Sequence, residues 1–139
     1  MPDSSQSITP LVGRILVSGI FLWSALGKIM AYSMVTAYAG AKGLPLPGIS
    51  VAAAGAIELV CGLAILFGFR ARWAAWLLFV YLIPTTLIFH NFWGVTDVAA
   101  RLDLQSHFLK NVAIMGGLLY MATFGAGGYS WDASHGKKI

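Results

Sequence analysis

Residues 51–69, VAAAGAIELVCGLAILFGF, form an apolar stretch with one ionisable side chain, Glu58, near the middle. A run of this length predicts a helix that crosses a membrane. A charged group at that depth costs about 2.5–3.5 kcal/mol on insertion scales, so it should face protein or a wet cavity rather than lipid. We therefore expect Glu58 to lie between closely packed helices, because small residues share its helical face. These residues are Ala54, Gly55, Cys61 and Gly62.

The composition is typical of an integral membrane protein. The 139 residues are 58% hydrophobic and 10% charged, whereas about 25% of a typical soluble domain is charged. The net charge of +4 is spread along the chain without a basic cluster, so we expect no nucleic-acid partner. The single cysteine, Cys61, excludes a CxxC redox pair and a cysteine zinc site. Any redox activity therefore needs a bound cofactor, a substrate or a partner.

Three further apolar segments predict an all-α, integral membrane bundle of four transmembrane helices in a single domain, residues 1–139. The predicted spans are residues 11–29, 51–69, 73–93 and 107–124, with flexible tails at residues 1–8 and 126–139.

Several local signals refine this prediction. Thr9 and Pro10 indicate the start of the first helix, and no clean A-x-A cleavage site follows, so we expect this segment to be retained rather than removed as a signal peptide. Residues 33–42 predict a short interfacial helix between the first two spans. Residues 94–106 predict a polar loop before the fourth span.

The first span carries one stripe of related positions, at 4-3-4-3 spacing. Arg14 and Lys28 lie near opposite ends of it. We expect Arg14 to extend to the lipid headgroups, whereas Lys28 lies on the stripe that should meet the other helices. The stripe consists of Arg14, Ser18, Phe21, Ala25 and Lys28.

Basic residues predict the orientation. Four spans place both termini on one side, and the short turn that holds Arg70 and Arg72 is the strongest indicator of the cytoplasmic side. We therefore expect both termini in the cytoplasm. That side also holds Arg14, Lys137 and Lys138, against Lys28, Lys42, Arg101 and Lys110 on the other.

The polar residues of the four spans converge at one depth. Glu58 lies roughly 12 Å below the outer end of its helix, at about 1.5 Å per residue. A cavity entered from the outer interface, with Glu58 at its floor, follows from this geometry. A neighbouring lysine would keep Glu58 ionised and apolar surroundings alone would leave it neutral, and the sequence leaves both open. The polar residues near the outer helix ends are Lys28, His90, Asn91, Lys110 and Asn111.

Each candidate has a simpler interpretation beside the functional one. Glu58 is either a structural tie between helices or a functional acid. His90 alone is more often an interface histidine than a ligand, and its spacing from His107 does not demand a metal, so we expect no metal and no haem. Trp23 is either an interfacial anchor or part of the wall for a planar ligand.

Taken in order along the chain, the motifs resemble the DoxX family over residues 10–132. The motifs are FLWSALGK (residues 21–28), GLP (43–45), IELVCG (57–62), Gly68 with Arg70 and Arg72, TLIFH (86–90), KN (110–111), Gly116 with Gly117, and GAGGYS (125–130).

The resemblance implies a small four-helix inner-membrane protein. Relatives in the wider DoxX/DoxD group are subunits of thiosulfate:quinone oxidoreductases, and others are described as membrane partners of soluble redox or detoxifying enzymes. Five positions match the family's polar motif residues, and they are the ones that the depth argument groups. They are Lys28, Glu58, His90, Lys110 and Asn111.

The leading hypothesis is therefore an oxidoreductase subunit that binds a quinone in the outer-half cavity. In this hypothesis Glu58 accepts or donates a proton and His90 hydrogen-bonds a quinone oxygen or relays the proton. Lys28 or Lys110 stabilises negative charge. The residues predicted to bind the cofactor are Lys28, Trp23, Lys110 and Asn111.

Two alternatives remain open. One is a non-catalytic membrane anchor or assembly subunit for a soluble redox or detoxifying enzyme, and the other is a carrier of a small or lipid-like solute, which inverted repeats would favour. The expected partners are membrane lipids, a quinone, a soluble or membrane redox protein and further copies of the chain.

Overall fold

The computed structural model describes residues 4–136, and the regular secondary structure of this part of the chain consists of helices without strands. A single turn of 3₁₀-helix, Phe92–Gly94, links the fourth helix to the fifth. The helices are α1 (Ser4–Met30), α2 (Tyr32–Ala41), α3 (Pro47–Phe67), α4 (Ala71–Phe89), α5 (Val98–Phe124) and α6 (Trp131–Ser134).

Among the described residues, three helices are long and apolar enough to cross a membrane. They are the segments Ile8–Met30, Pro47–Phe67 and Ala71–Gly94, which confirms the predicted spans at residues 11–29, 51–69 and 73–93 as apolar helices of spanning length. Helix α5 has 27 residues and is about 40 Å long at 1.5 Å per residue. Helix α5 is less apolar than these three segments, because its first half carries Arg101, Asp103, His107 and Lys110.

Two predicted boundaries were wrong. Helix α1 begins at Ser4 and Pro10 lies inside it, so Thr9 is not the N-cap and the predicted N-terminal tail is helical from Ser4. The predicted polar loop is helical from Val98. Asp97 caps this helix by accepting a hydrogen bond from Ala100 N at 2.8 Å, and the residues that follow, AARLDLQ, are mostly good helix formers.

Arg14 does not extend to the headgroups as predicted. It is 1% exposed, and its Nη2 donates to the backbone oxygens of Tyr129 at 2.6 Å and Gly128 at 3.4 Å. These carbonyl groups belong to the segment that follows α5, which turns back against the helices. Because this segment supplies hydrogen-bond acceptors inside the bundle, the guanidinium group stays buried.

Much of the predicted C-terminal tail packs against the bundle. Ser130 is buried, and the carboxylate of Asp132 accepts hydrogen bonds from the backbone nitrogens of Arg70 at 2.9 Å and Ala71 at 3.0 Å. Asp132 thereby satisfies free N–H groups at the start of α4. Lys137 and Lys138, which entered the orientation argument, lie outside the described residues.

The core confirms the predicted stripe on α1 and the small face of α3. Arg14, Ser18, Phe21 and Ala25 are all buried. Gly55 and Gly62 on α3 allow α1 to come close, since a Cβ atom at Gly62 would lie 2.9 Å from Leu22 Cδ2. The buried apolar cluster joins α1, α3, α4 and α5 and consists of Phe21, Cys61, Ile65, Ala74, Ala75, Leu78, Leu82, Leu118 and Ala122.

We expect replacement of Gly68 by alanine to destabilise the protein. Gly68 ends α3 with φ +67°, a left-handed conformation that costs other residues about 1–2 kcal/mol. A methyl group there would also collide with Arg14 and Ser130. The midpoint of thermal unfolding in detergent should fall for Gly68→Ala. Gly19→Ala is the control, because Gly19 has open space around it, and an equal fall in both variants would contradict this account.

Candidate functional site

Glu58 lies in a three-helix hydrogen-bond cluster. Lys28 Nζ on α1 donates to Glu58 Oε1 at 3.0 Å and to Oε2 at 2.9 Å. Tyr81 Oη on α4 donates to Oε1 at 2.7 Å. Lys28 Nζ also donates to Ser24 Oγ, one turn earlier on α1, at 2.8 Å. Of the two environments that the sequence left open for Glu58, the structure shows the neighbouring lysine.

The local sequence explains why these groups meet. Lys28 belongs to the buried stripe of α1, and Gly55 lies three residues before Glu58 on the facing side of α3. A Cβ atom at Gly55 would already lie 3.7 Å from Lys28 Cβ, so a larger residue there would push α1 away. The glycine lets the lysine side chain run along α3 to the carboxylate. Glu58 is 4% exposed, so the pair is largely removed from water.

A cavity of about 570 Å³ lies above this cluster. It opens between α1, α2, α3, α4 and α5, and its volume is within the range of small-molecule sites, about 300–1,000 Å³. All six predicted site residues line it. They are Trp23, Lys28, Glu58, His90, Lys110 and Asn111. Five of them belong to the polar group that was predicted to converge at one depth, whereas Asn91, the other member of that group, does not line the cavity. The chemical roles of these residues stay predictions.

Two stacked histidines lie where α4 ends, and one of them, His90, lines the cavity. The rings of His90 and His107 are 5.3 Å apart between centroids and 17° from parallel. His107 Nδ1 is 3.0 Å from Lys110 Nζ, and its Nε2 is 3.7 Å from Asp103 Oδ1. His90 Nδ1 is buried and has no hydrogen-bond partner among the described residues. His90 is thus the cavity residue with an unsatisfied ring nitrogen.

Asn111 and Trp23 have different positions in the wall. Asn111 is buried, and its Nδ2 donates to Thr86 Oγ1 at 3.0 Å, which ties α5 to α4. Trp23 also lines the cavity, but it is 77% exposed, so most of its side-chain surface makes no contact with the rest of the described chain.

The histidines do not form an evident metal site. Among residues 4–136, no group of three or more His, Cys, Asp or Glu side chains is arranged to hold a metal ion. Parallel stacking of His90 and His107 also differs from ligation, in which ring nitrogens converge on one point.

Sequence reasoning missed Tyr81, which contacts Glu58 directly. A signal was present, because Tyr81 lies about ten residues from either end of α4, whereas interfacial tyrosines gather near the ends of spans. A hydroxyl at that depth needs an internal partner. Ser24 was missed as well, although it lies four residues before Lys28 on the same helical face.

Comparison with known proteins agrees with this architecture. The family model described as DoxX matches residues 9–91, which contain α2, α3, α4 and most of α1. The chain belongs to the DoxX family. The predicted resemblance is thereby confirmed.

Two DoxX relatives of known location cover almost the whole chain. Inner membrane protein YqjF of Escherichia coli (strain K12) is 34% identical over 135 residues, 96% of this chain and 96% of the relative. Inner membrane protein YphA of the same organism is 30% identical over 129 residues, 93% and 91% of the two chains. No solved structure matches. The protein is therefore a DoxX-family inner membrane protein.

A double-mutant cycle tests the ion pair of this DoxX protein. Removing one partner of a buried pair leaves an uncompensated charge and costs about 3–5 kcal/mol, an upper value here because the Lys28 side chain is 19% exposed. We expect Lys28→Met and Glu58→Gln each to lower the free energy of unfolding, and the double variant to lose less than their sum. The difference should be about 0.5–3 kcal/mol.

The control for this cycle is Lys42→Met. Lys42 lies over the Tyr38 ring at 5.7 Å and makes no ion pair within the described chain. Its effect should be small and additive with that of Glu58→Gln. Additivity of Lys28→Met with Glu58→Gln, measured by chemical unfolding in detergent, would contradict the pairing.

Proposed function

We propose that this protein is a membrane subunit of an oxidoreductase and binds a quinone headgroup in the Glu58 cavity. The observation that carries the proposal is the combination of an apolar cavity of suitable size with a few convergent polar groups. The family and the inner-membrane location of the relatives support it, since membrane quinones are apolar molecules dissolved in the same bilayer.

The residues present fit such a molecule. A quinone headgroup is a planar ring with carbonyl oxygens at opposite edges, so it needs apolar contacts on its faces and polar groups at two ends. The cavity has both. His90, with its unpartnered Nδ1, lies at the outer end, and the cluster of Lys28, Glu58 and Tyr81 lies at the floor. Apolar side chains between them are Ile20, Val35, Leu82, Ile88, Phe89 and Ile114.

The floor cluster is suited to hold and move a proton. Glu58 accepts three hydrogen bonds, two from Lys28 and one from Tyr81, while a carboxylate offers about four acceptor sites. One acceptor site therefore remains for a ligand hydroxyl or a water molecule. Lys28 and Tyr81 have protons on atoms that line the cavity, and Glu58 compensates the charge when a proton leaves or returns.

A bound quinone would supply the redox chemistry, since it takes up two electrons and two protons and releases them again. The electrons would come from a bound cofactor, a substrate or a redox partner, because the single cysteine, Cys61, cannot form a disulfide pair within the chain. His90 orients the ring at the outer end, and the low exposure of Glu58 excludes bulk water from the floor.

Mass spectrometry of the organic extract of the purified protein tests this function. We expect the wild type in mild detergent to retain a quinone at near one copy per chain. Loss of one hydrogen bond to a ligand costs about 0.5–1.5 kcal/mol, so His90→Gln should weaken quinone affinity by roughly threefold to tenfold. His135→Gln is the matched control, because His135 packs on Trp131, away from the cavity.

The outcomes separate the candidates. Quinone retained by the wild type and His135→Gln, and reduced in His90→Gln and Glu58→Gln, would support the proposal. A different molecule with the same dependence would identify a carrier instead. Equal quinone content in all four proteins, or none after purification in lipid nanodiscs with added quinone, would overturn it.

A second function has its own supporting observation. Glu58 has both oxygens engaged and thereby ties α1, α3 and α4, which is what a non-catalytic anchor or assembly subunit requires. In that case Tyr81→Phe and Glu58→Gln would lower stability, and added quinone would not change the stability of any variant. Thermal unfolding with and without quinone therefore distinguishes the two functions.

We also propose that α5 crosses the membrane, which gives four spans with both termini in the cytoplasm. His107, in the first half of α5, stacks on His90 at the end of α4. Gly125, just after the last turn of α5, lies beside Arg72 at the beginning of α4. Helix α5 thus runs antiparallel along α4, and residues 111–124 carry no Asp, Glu, Lys or Arg.

Cysteine labelling tests this topology. In a Cys61→Ala background, we expect a membrane-impermeant thiol reagent to label Thr96→Cys in cells with a permeabilised outer membrane. Ser134→Cys should be labelled only after the inner membrane is opened. Ala41→Cys is the control for the outer side, because it lies between α1 and α3. Labelling of Thr96→Cys and Ser134→Cys from the same side would contradict four spans.

A further inference from the structure

A second cavity, of about 410 Å³, lies at the end of the bundle away from His90. Its walls are the turn between α3 and α4, the end of α5 and the segment up to α6. Gly68, in that turn, lies about 15 Å from Glu58 along the axis of α3, at 1.5 Å per residue. We call this second cavity the arginine cavity, because Arg70 and Arg72 line it.

The arginine cavity carries excess positive charge. Neither Arg70 nor Arg72 makes a side-chain hydrogen bond or an ion pair with any described residue. Arg14 lies behind the wall, 1% exposed, against Gly68 and Ser130, and its Nε and Nη1 have no partner among residues 4–136.

One carboxylate faces these three guanidinium groups, and it is already engaged. Asp132 lines the cavity, but both of its oxygens accept hydrogen bonds from the backbone nitrogens of Arg70 and Ala71. The local net charge is therefore positive, and Asp132 makes no hydrogen bond to the guanidinium group of Arg70 or of Arg72. A cavity of this charge at the edge of a bilayer is expected to attract an anion.

Exposed aromatic side chains surround the cavity. Rings of this kind gather at the membrane–water interface, which places the cavity opening at the level of the lipid headgroups. The exposed aromatic residues at this end are Phe69, Trp73, Phe124, Tyr129 and Trp131. Trp73 and Phe124 also line the cavity, so an apolar surface continues from the arginines towards the lipid.

We infer that the arginine cavity binds a phosphate group, carried by an anionic membrane lipid or by a soluble phosphate ester. All three basic groups are guanidinium groups, whose planar donor pairs match phosphate oxygens. Basic pockets between helices at the cytoplasmic side are suited to anionic headgroups. The apolar wall of Trp73 and Phe124 favours the lipid as the source. This inference is independent of quinone binding, because the two cavities share no residue.

Native mass spectrometry of the full chain, titrated with phosphatidylglycerol, tests the inference. Diacylglycerol is the comparison ligand, because it has the same acyl chains without phosphate, and inorganic phosphate is the competitor. Loss of one basic residue near an anionic surface weakens lipid binding about fivefold. We therefore expect Arg70→Gln or Arg72→Gln to lower the affinity for phosphatidylglycerol about fivefold, and the double variant to lower it about 25-fold. Arg101→Gln is the control, since it removes the same charge from the first turns of α5.

Two results support the inference and identify the source. Arginine-dependent binding of phosphatidylglycerol that inorganic phosphate does not displace identifies a lipid-borne phosphate, and arginine-dependent binding of inorganic phosphate alone identifies a soluble ester. Equal binding of diacylglycerol, or equal effects of Arg101→Gln and Arg72→Gln, would overturn it.

If the double glutamine variant does not fold, Arg70→Lys with Arg72→Lys keeps both charges and removes the paired donors. We expect this variant to bind phosphatidylglycerol more weakly than the wild type. Unchanged affinity in the lysine variant would show that charge alone attracts the lipid. Recognition of the phosphate group by the paired donors of the arginines would then be rejected.

Discussion

The structure depends on the neutralisation of Glu58 by Lys28 inside the bundle. Either charge alone would carry a large desolvation cost, whereas the pair with its additional hydrogen bonds recovers much of it. The pair forms only when residue 28 of α1 lies beside Gly55, three residues before Glu58, so that the lysine side chain can run along α3 to the carboxylate. The two helices are thereby fixed in one register, and Tyr81 extends the same constraint to α4.

The ion pair also determines where a cavity can exist. Gly55 brings α1 close to α3 at this level, and α2 with the loop that follows it contributes Val35, Tyr38, Ala39 and Leu44 to the wall of the cavity. The space above the pair is therefore lined by the outer turns of the helices, where His90, Lys110 and Asn111 occur. The same carboxylate therefore ties three helices together and lines the cavity, so substitution of Glu58 changes both at once.

The sequence predicted what local pattern controls and missed what distant segments determine. The apolar runs, the stripe on α1 and the small face around Glu58 were sufficient to predict three apolar helices and the convergence of five of six polar residues on one cavity. Burial of Arg14 was not predictable in this way, since its acceptors, Gly128 and Tyr129, are 114 and 115 residues away. No periodicity in α1 indicates that backbone carbonyls from beyond α5 will reach it. The start of α5, by contrast, had a local signal in Asp97 that the polarity of the segment obscured.

The two buried cations of α1 show how the ends of the bundle differ. Lys28 meets a carboxylate, so the floor of the Glu58 cavity carries a compensated ion pair. Arg14 meets backbone carbonyls, which satisfy one nitrogen but supply no formal negative charge. Asp132 interacts electrostatically with this guanidinium group and also lines the cavity with Arg70 and Arg72, so three guanidinium groups outnumber the carboxylate beside them. Because one helix carries both cations in a single stripe, the partner of each cation, carboxylate or carbonyl, sets the charge at its end of the bundle.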